Sequence, residues 1–461
     1  MEKNKGTMAL ILAAGAGTRM KSQKPKVLHK VCGKAMLNHV IDQARELQVE
    51  KIIVVIGNGA DQVQETIGDG VEYVYQRELL GTGHAVMEAE HLFKEHKGNI
   101  LLLYGDTPLI SANTLKEFIQ YHKYNNFAAT VLTAKFDDPF GYGRIIRNKK
   151  GNIESIVEQK DANEDQLKIT EINSGMYYFQ AQLLCRALES ITNNNAQGEY
   201  YITDTIEVLN KEGYNIGGYE VGIPQEIEGV NSRGQLAMAE AFMRKGINEY
   251  WMDQGVTMID PATTYIHKDV KIGQDTIIYP GVQLEGCSKI GANCIIGANS
   301  RIVDSTIGDD VEIQFSTILE STINNKTRIG PYAYIRPNCK IGKNVKIGDF
   351  VEVKNSIIGD NTSAAHLSYI GDGEVGKNVN IGCGTIFVNY DGYKKHKTIV
   401  RDDVFVGCNT NLVAPVEVKE GSFIAAGSTI THQVPANSLA IARARQVNKE
   451  DWFNKKETKD K

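Results

Sequence analysis

From residue 272 onward, one aliphatic residue recurs at six-residue steps. The runs are Ile272, Ile278, Leu284, Ile290, Ile296 and Ile302; Ile323, Ile329, Ile335, Ile341, Ile347 and Val353; and Val400, Val406, Leu412, Val418, Ile424 and Ile430. A step of six matches neither the 3.6-residue period of a helix nor a meander with a turn every ~10 residues. It matches a parallel β-helix, in which each short flat strand sends one aliphatic side chain inward. Such a coil needs residues that turn the chain at every corner, and Gly-Ala-Asn at 291–293 and 297–299 and Gly-Lys-Asn at 342–344 are of that type. The same demand accounts for 44 glycines.

Before residue 260 the pattern is different. Ala9–Ala14, Lys51–Ile56, Ile100–Tyr104 and Ala128–Ala134 read as buried strands, and His39–Leu47, Gly83–Phe93 and Ala112–Tyr121 as helices. Strands alternating with helices predict an α/β layer with a mostly parallel sheet. A helix joins the halves, capped by Ser232 or Asn231, with Leu236, Met243, Ile247, Tyr250 and Trp251 along one stripe and Gly255 just past its end. The expected divisions are residues 1–231, a linker helix at 232–254, and 255–461. Residues 389–397 interrupt the ladder as an inserted loop, and the charge-rich tail after Val447 is expected to be mobile.

Several classes of function are disfavoured. With 51 Lys+Arg against 56 Asp+Glu the net charge is -5, which is no footprint for nucleic acid. No apolar run approaches the ~20 residues that span a bilayer, so no membrane insertion is expected. Lys3 and Lys5 ahead of Met8–Ala14 imitate a short signal peptide, but a buried first strand explains the run better, and a cytoplasmic location is expected. The seven cysteines form no Cys-x-x-Cys, so neither a disulfide framework nor a zinc site is indicated.

The first strand runs into Leu12-Ala-Ala-Gly-Ala-Gly-Thr-Arg-Met20, with Pro25-Lys26 close behind. A Gly-rich turn opening a helix would present N–H groups to an anion, with Arg19 and Lys26 adding charge. There is no Walker motif and no Gly-x-Gly-x-x-Gly. The string as a whole resembles the signature of sugar-nucleotide pyrophosphorylases, which join a sugar 1-phosphate to a nucleoside triphosphate. Gln76 with Leu80-Gly-Thr-Gly-His-Ala85 resembles the base-recognition segment of the uridylyl members. Asp106, at a strand end in Tyr104-Gly105-Asp106, suits Mg²⁺, which takes one or two protein oxygens and keeps phosphates and water. The resemblance implies that UTP and its sugar product are held by Leu12, Ala13, Ala14, Gly15, Arg19, Lys26, Gln76, Gly81, Thr82, Tyr104, Gly105, Asp106, Gly143, Glu158, Asn173 and Asn231, with the metal on Asp106 and Asn231. The segment Asn193–Asp204 matches too, whereas His29 and His84 read as structural hydrogen-bonders.

Late in the ladder, polar residues crowd between Arg336 and Tyr390, and Ala364-Ala-His366-Leu-Ser-Tyr369 sets a histidine beside small residues. Almost end to end, the chain resembles the bacterial family of bifunctional N-acetylglucosamine-1-phosphate uridyltransferase/glucosamine-1-phosphate acetyltransferases. The resemblance implies a Rossmann-like nucleotidyltransferase domain, a linker helix and a left-handed parallel β-helix of hexapeptide repeats, assembled as a homotrimer. It implies two reactions: acetylation of glucosamine 1-phosphate by acetyl-CoA, then uridylyl transfer to N-acetylglucosamine 1-phosphate, which supplies peptidoglycan and other cell-envelope precursors. It makes His366 the general base, with Arg336 and Lys354 on the sugar phosphate and Tyr369 and Asn380 on the sugar. Acetyl-CoA falls to Cys383, Asn389, Tyr390, Lys395, Cys408, Ala426 and Arg443. Cys383 stands where the family often has Ala and Cys408 where it often has Ser, so thiol reagents are expected to reach this site. Glu352 is expected to orient the imidazole. The competing reading treats the β-helix as a passive trimerisation arm; His366, the 389–390 loop and Arg443 argue against it.

Overall fold

The computed structural model describes residues 6–453, so the tail expected to be mobile lies partly outside the described residues. The chain divides into two compact units, Met1–Met243 and Arg244–Lys461.

The first unit is built on one twisted sheet. Seven of its nine strands lie in the spatial order Ile216–Glu220, Ala129–Lys135, Glu171–Gln180, Asn99–Tyr104, Thr7–Leu12, Lys51–Ile56 and Glu72–Tyr75, with Arg144–Arg147 and Ile153–Val157 pairing off this path. Neighbours among the seven are parallel except Glu171–Gln180, which runs against the strands on both its sides. The central strands are apolar on both faces because helices cover both. Leu10, Leu102 and Val86 are buried on one side, and Ile11, Leu101, Leu103 and Phe118 on the other. Each such side chain contributes about 1.5–3 kcal/mol by leaving water. From Thr7–Leu12 the chain builds outward to one side and then returns to add Asn99–Tyr104 on the other. The strand order therefore reverses between these two strands, and their carboxyl ends are where an open α/β sheet takes its ligand. The Gly-rich turn does not open an α-helix as the sequence suggested. Gly17 and Lys21 adopt left-handed backbone on either side of a single 3-10 turn, Thr18–Met20, and the first α-helix starts only at Met36.

The helix expected between the halves runs Arg233–Asp253, and the boundary of the two compact units falls inside it. Ser232 Oγ accepts from the N–H of Gln235 at its start, and Gly255, at φ +89°, ends it by donating to the Met252 carbonyl. Ile247 and Trp251 are buried, but Tyr250 is 55% exposed and leaves the expected stripe. Asn248 is buried instead, because its side-chain amide donates to the carbonyls of Pro261 and Thr264.

The second unit is a parallel β-helix. All eighteen phased aliphatic residues are buried, none above 8% exposed. They stack in register from coil to coil, one column running Ile278, Ile296, Ile313, Ile329, Ile347, Ala364, Ile381, Val406 and Ile424. Asp and Asn tolerate the left-handed backbone that the corners need, as at Asp275, Asn293, Asp310, Asn344 and Asn361. Among the described residues no helix is long and apolar enough to cross a membrane.

Candidate active sites

In the first unit a cavity of about 430 Å³ opens at the point of strand reversal. Leu12, Ala13, Ala14, Gly15 and Ala16 form one wall, Gln76, Leu79, Gly81, Thr82 and Ala85 another, and Lys26, Val27, Tyr104, Asp106, Glu199 and Asn231 close it. Among the described residues, the N–H groups of Gly15 and Ala16 donate to no backbone carbonyl. Lys26 Nζ is the focus of the polar side. It forms an ion pair with Asp106 and donates to Asn231 Oδ1 at 3.0 Å. The N–H of Val230 donates to the Asp106 carbonyl, tying the Asn231 segment to the same strand end. Two hard oxygens therefore converge on one ammonium group, an arrangement that also fits a small divalent cation sharing phosphate oxygens.

The opposite wall is held by close backbone packing. Gly81 has φ +109°, and a Cβ there would lie 2.5 Å from the Tyr200 carbonyl oxygen. Gly83 donates to that carbonyl, and Tyr200 donates to Leu80. Gln76, buried, donates from Nε2 to the Gly81 carbonyl and meets His84 Nδ1 at 3.2 Å. His29 Nδ1 meets Arg233 at 3.3 Å, and burial followed by that guanidinium lowers its pKa. Both histidines are thus hydrogen-bonded away from the cavity's polar focus.

Of the sixteen residues expected to hold the nucleotide and its sugar, eleven line this cavity. Arg19 is exposed and outside the lining, and Gly105 is packed beneath it against Leu37, Ala13 and Val27. Gly143, Glu158 and Asn173 form a second group. Asn173 donates its N–H to the Gly143 carbonyl, and a Cβ on Gly143 would lie 3.5 Å from Glu158 Oε1. Tyr104 links the two groups: burial and then the charges of Glu158 and Asp106 push its phenol well above the ordinary value. Burial and then Asp204 raise the Glu158 carboxyl, and burial and then Glu207 and Asp161 raise Asp204 to about 6. Val27 and Leu79 were not anticipated, and Ala16, Ala85 and Glu199 lay inside matched segments without being assigned a role; the apolar ones carry no distinguishing side chain.

In the second unit the strands Lys346–Lys354 and Ser363–Gly371 pair in parallel with Asp349 opposite His366. Asp349 Oδ1 lies 2.7 Å from His366 Nδ1, and the imidazole is 58% exposed. The hydrogen bond from His366 holds the Asp349 carboxyl below its usual range. An ionised carboxylate can only accept, so Nδ1 carries a proton, and in the neutral ring Nε2 is the nitrogen left to accept one. Asp349 thus takes the orienting role expected of Glu352. The correction follows from register: Glu352 lies opposite Tyr369, and its carboxylate is spent on Arg336 NH1 at 2.9 Å.

The expected residues of this unit fall into two clusters. Lys354 lies 3.4 Å from Asp372 Oδ2, which also accepts from Asn389 Nδ2 at 2.5 Å; the same amide is 3.4 Å from the Tyr369 hydroxyl. Lys395, on the loop, stands against Lys354, whose ammonium holds the Lys395 amine below its ordinary value. Two cations set side by side are a preformed seat for an anion. The second cluster follows from pairing. Ala364 pairs with Ile381, Ile381 with Val406, and Val406 with Ile424. Two positions on, His366, Cys383, Cys408 and Ala426 therefore occupy one corner column on successive coils. Arg443 Cδ would be 3.8 Å from a Cβ on the neighbouring Gly427. Asn380 opposes Ser363 below and Phe405 above, and Tyr390 is exposed on the loop, its hydroxyl on the Gly392 carbonyl. All seven cysteines are free thiols, and among the described residues no group of three or more His, Cys, Asp or Glu side chains is placed to hold a metal.

Comparison with known proteins finds separate matches in the two halves. Residues 8–258 match the nucleotidyl transferase family, residues 269–303 the bacterial transferase hexapeptide repeat, and residues 319–456 the GMPPB C-terminal domain. Proteins named bifunctional protein GlmU are similar over nearly the whole length. Those of Alkaliphilus metalliredigens and Clostridioides difficile are each 55% identical, covering 97% and 98% of this chain and 98% of their own. That of Clostridium tetani is also 55% identical, over 98% of this chain and 99% of its own. The hexapeptide match fits the coil geometry, and the β-helix is the left-handed type. With both halves matched in order and at this identity, the chain belongs to the GlmU family.

Proposed function

We propose that the chain is a bifunctional enzyme that acetylates glucosamine 1-phosphate from acetyl-CoA and then transfers a uridylyl group from UTP to N-acetylglucosamine 1-phosphate, releasing pyrophosphate. The observation that carries both halves is the presence of two complete polar constellations, Lys26–Asp106–Asn231 in one unit and Asp349–His366 in the other. A scaffold has no use for a carboxylate-oriented histidine exposed beside an anion seat.

In the first unit UTP lies along the Gly-rich turn. Its phosphates meet the N–H groups of Gly15 and Ala16 and the ammonium of Lys26. Asp106 and Asn231 would hold Mg²⁺, which would supply charge neutralisation at the phosphates. Gly143, Glu158 and Asn173 position the acceptor sugar. Its phosphate oxygen attacks the α-phosphorus in line, and pyrophosphate leaves. The nucleophile is already an anion, so no general base is required.

In the second unit an amine must attack the thioester as the free base. His366 Nε2 takes its proton while Asp349 holds the Nδ1–H and stabilises the imidazolium that forms. Lys354 and Arg336 hold the sugar phosphate, joined by Lys395, expected on acetyl-CoA but set against Lys354; Tyr369 and Asn380 orient the ring, and acetyl-CoA follows the column from Cys383 through Cys408 to Ala426, with Asn389, Tyr390 and Arg443 at its sides. The working assembly is a homotrimer in the cytoplasm. Uridylyl transfer belongs to residues 1–231, acetyl transfer to 255–461, and 232–254 link them.

The test supplies glucosamine 1-phosphate, acetyl-CoA, UTP and Mg²⁺ and follows free CoA and pyrophosphate separately. His366→Ala lowers CoA release by about 10²- to 10⁴-fold and spares pyrophosphate release from N-acetylglucosamine 1-phosphate, and Asp106→Ala does the reverse. If either substitution removed both activities in a folded chain, the reading of two independent sites would be wrong. Sedimentation of the full chain as anything other than a trimer would remove the assembly from it.

A further inference from the structure

The column above His366 holds two thiols on consecutive coils. Its register is fixed from both sides: Gly382 donates to the Val406 carbonyl at 2.8 Å, and Asn409 donates to the Cys383 carbonyl at 2.7 Å. Residues facing each other across parallel strands are about 4.8 Å apart, inside the range of roughly 4.4–6.8 Å that disulfides span between Cα atoms. Side chains at this corner do reach one another from coil to coil, since Asp349 and His366, lower in the same column, are hydrogen-bonded at 2.7 Å. Cys408 is exposed and Cys383 half-buried, so both can be reached from solvent, as can the exposed Cys287 on an earlier coil but not the buried Cys32, Cys185, Cys294 and Cys339.

We propose that Cys383 and Cys408 are an oxidisable pair whose disulfide switches off acetyl transfer while leaving uridylyl transfer running. The inference rests on the reading of this column as the acetyl-CoA path. The oxidant is a low-molecular-weight disulfide. One cysteine thiolate attacks it, forming a mixed disulfide and expelling one thiolate. The second cysteine thiolate attacks the protein sulfur of that mixed disulfide, the Cys383–Cys408 bond forms, and the second small thiolate leaves. Two protein thiols are oxidised, one small disulfide is reduced to two thiols, and the two protons pass to the leaving thiolates. The bond ties adjacent coils together directly above His366 and occupies the corner the thioester must pass.

The experiment treats the reduced full-length chain with oxidised glutathione, blocks remaining thiols, maps disulfides by mass spectrometry, and assays CoA and pyrophosphate release on the same sample. A peptide linking Cys383 to Cys408 is expected, with CoA release lowered at least about tenfold and restored by dithiothreitol, and pyrophosphate release within about twofold of the reduced sample. In a Cys383→Ala/Cys408→Ala chain, CoA release, measured against that variant's own reduced state, is insensitive to the oxidant. Glutathione adducts on both cysteines with no linked peptide, or equal inhibition of the double variant, would overturn the proposal. Linkage is read by mass alone, so a reduced chain that released no CoA would instead sink the acetyl-transfer reading.

Discussion

Asp349 sits one coil beneath His366 and accepts its Nδ1–H at 2.7 Å, so the imidazole is oriented by the strand pairing itself. Asp349→Asn keeps the shape but lets the amide favour the wrong tautomer. We expect its CoA release to fall by roughly 10- to 1,000-fold, and that of His366→Ala by about 10²- to 10⁴-fold. Pyrophosphate release stays unchanged in both. Steady-state kcat for the two reactions checks this, and an Asp349→Asn chain with parental acetyl transfer would remove the orienting role.

Asp106 and Asn231 share Lys26 as a partner, which predicts a division in metal dependence. Chelating divalent metal stops pyrophosphate release and leaves CoA release intact. Lys26→Ala lowers uridylyl transfer by about 10²- to 10³-fold through lost phosphate stabilisation. Parallel assays in chelator and in excess Mg²⁺ decide the matter.

Gly81→Ala tests the nucleotide wall. The new Cβ would press on the Tyr200 carbonyl, and the left-handed φ of +109° adds strain. The backbone cost alone is about 1–3 kcal/mol. The expected result is a KM for UTP raised about tenfold with acetyl transfer unchanged. A parental KM would show that this wall does not touch the nucleotide.

His122 gives the first unit an acid-sensitive anchor. It is buried against Tyr178, with Nδ1 on Thr130 Oγ1 at 2.8 Å, and burial followed by Lys123 lowers its pKa to about 4. The native state favours the neutral ring, so this contribution is complete above the unfolded value of 6.5 and is lost as pH falls from there through about 4. Between pH 7 and pH 5 the loss is about 2 kcal/mol. Urea midpoints followed by helical circular dichroism should show that drop, and His122→Gln should flatten it.

The exposed thiols predict selective alkylation. Iodoacetamide should slow CoA release more than pyrophosphate release, and acetyl-CoA, unlike UTP, should protect. Equal loss of both activities would place the reactive thiol elsewhere.

The β-helix was legible because its period is a property of the chain: each aliphatic at a six-residue step is forced inward by the pleat. The nucleotide wall was legible where residue type is chemically restricted, as at Lys26, Gln76 and Asp106. Leu79 was not, since it reaches the cavity only through tertiary packing, and Ala85 and Glu199 stood in matched segments with no role assigned to them. The step from Glu352 to Asp349 shows the same limit. Both are acids near His366 in sequence, and only the coil register, which passes 349 beneath 366, tells them apart.

Ser363 pairs with Asn380 seventeen residues on, whereas Asn380 pairs with Phe405 twenty-five residues on. The surplus chain is expelled at a corner as the hairpin that carries Asn389, Tyr390 and Lys395, and the stack above resumes without a slip. A coil of this design therefore accepts overhanging equipment at its vertices while its inner spine stays indifferent, so new recognition parts can be added or trimmed there without rebuilding what supports them.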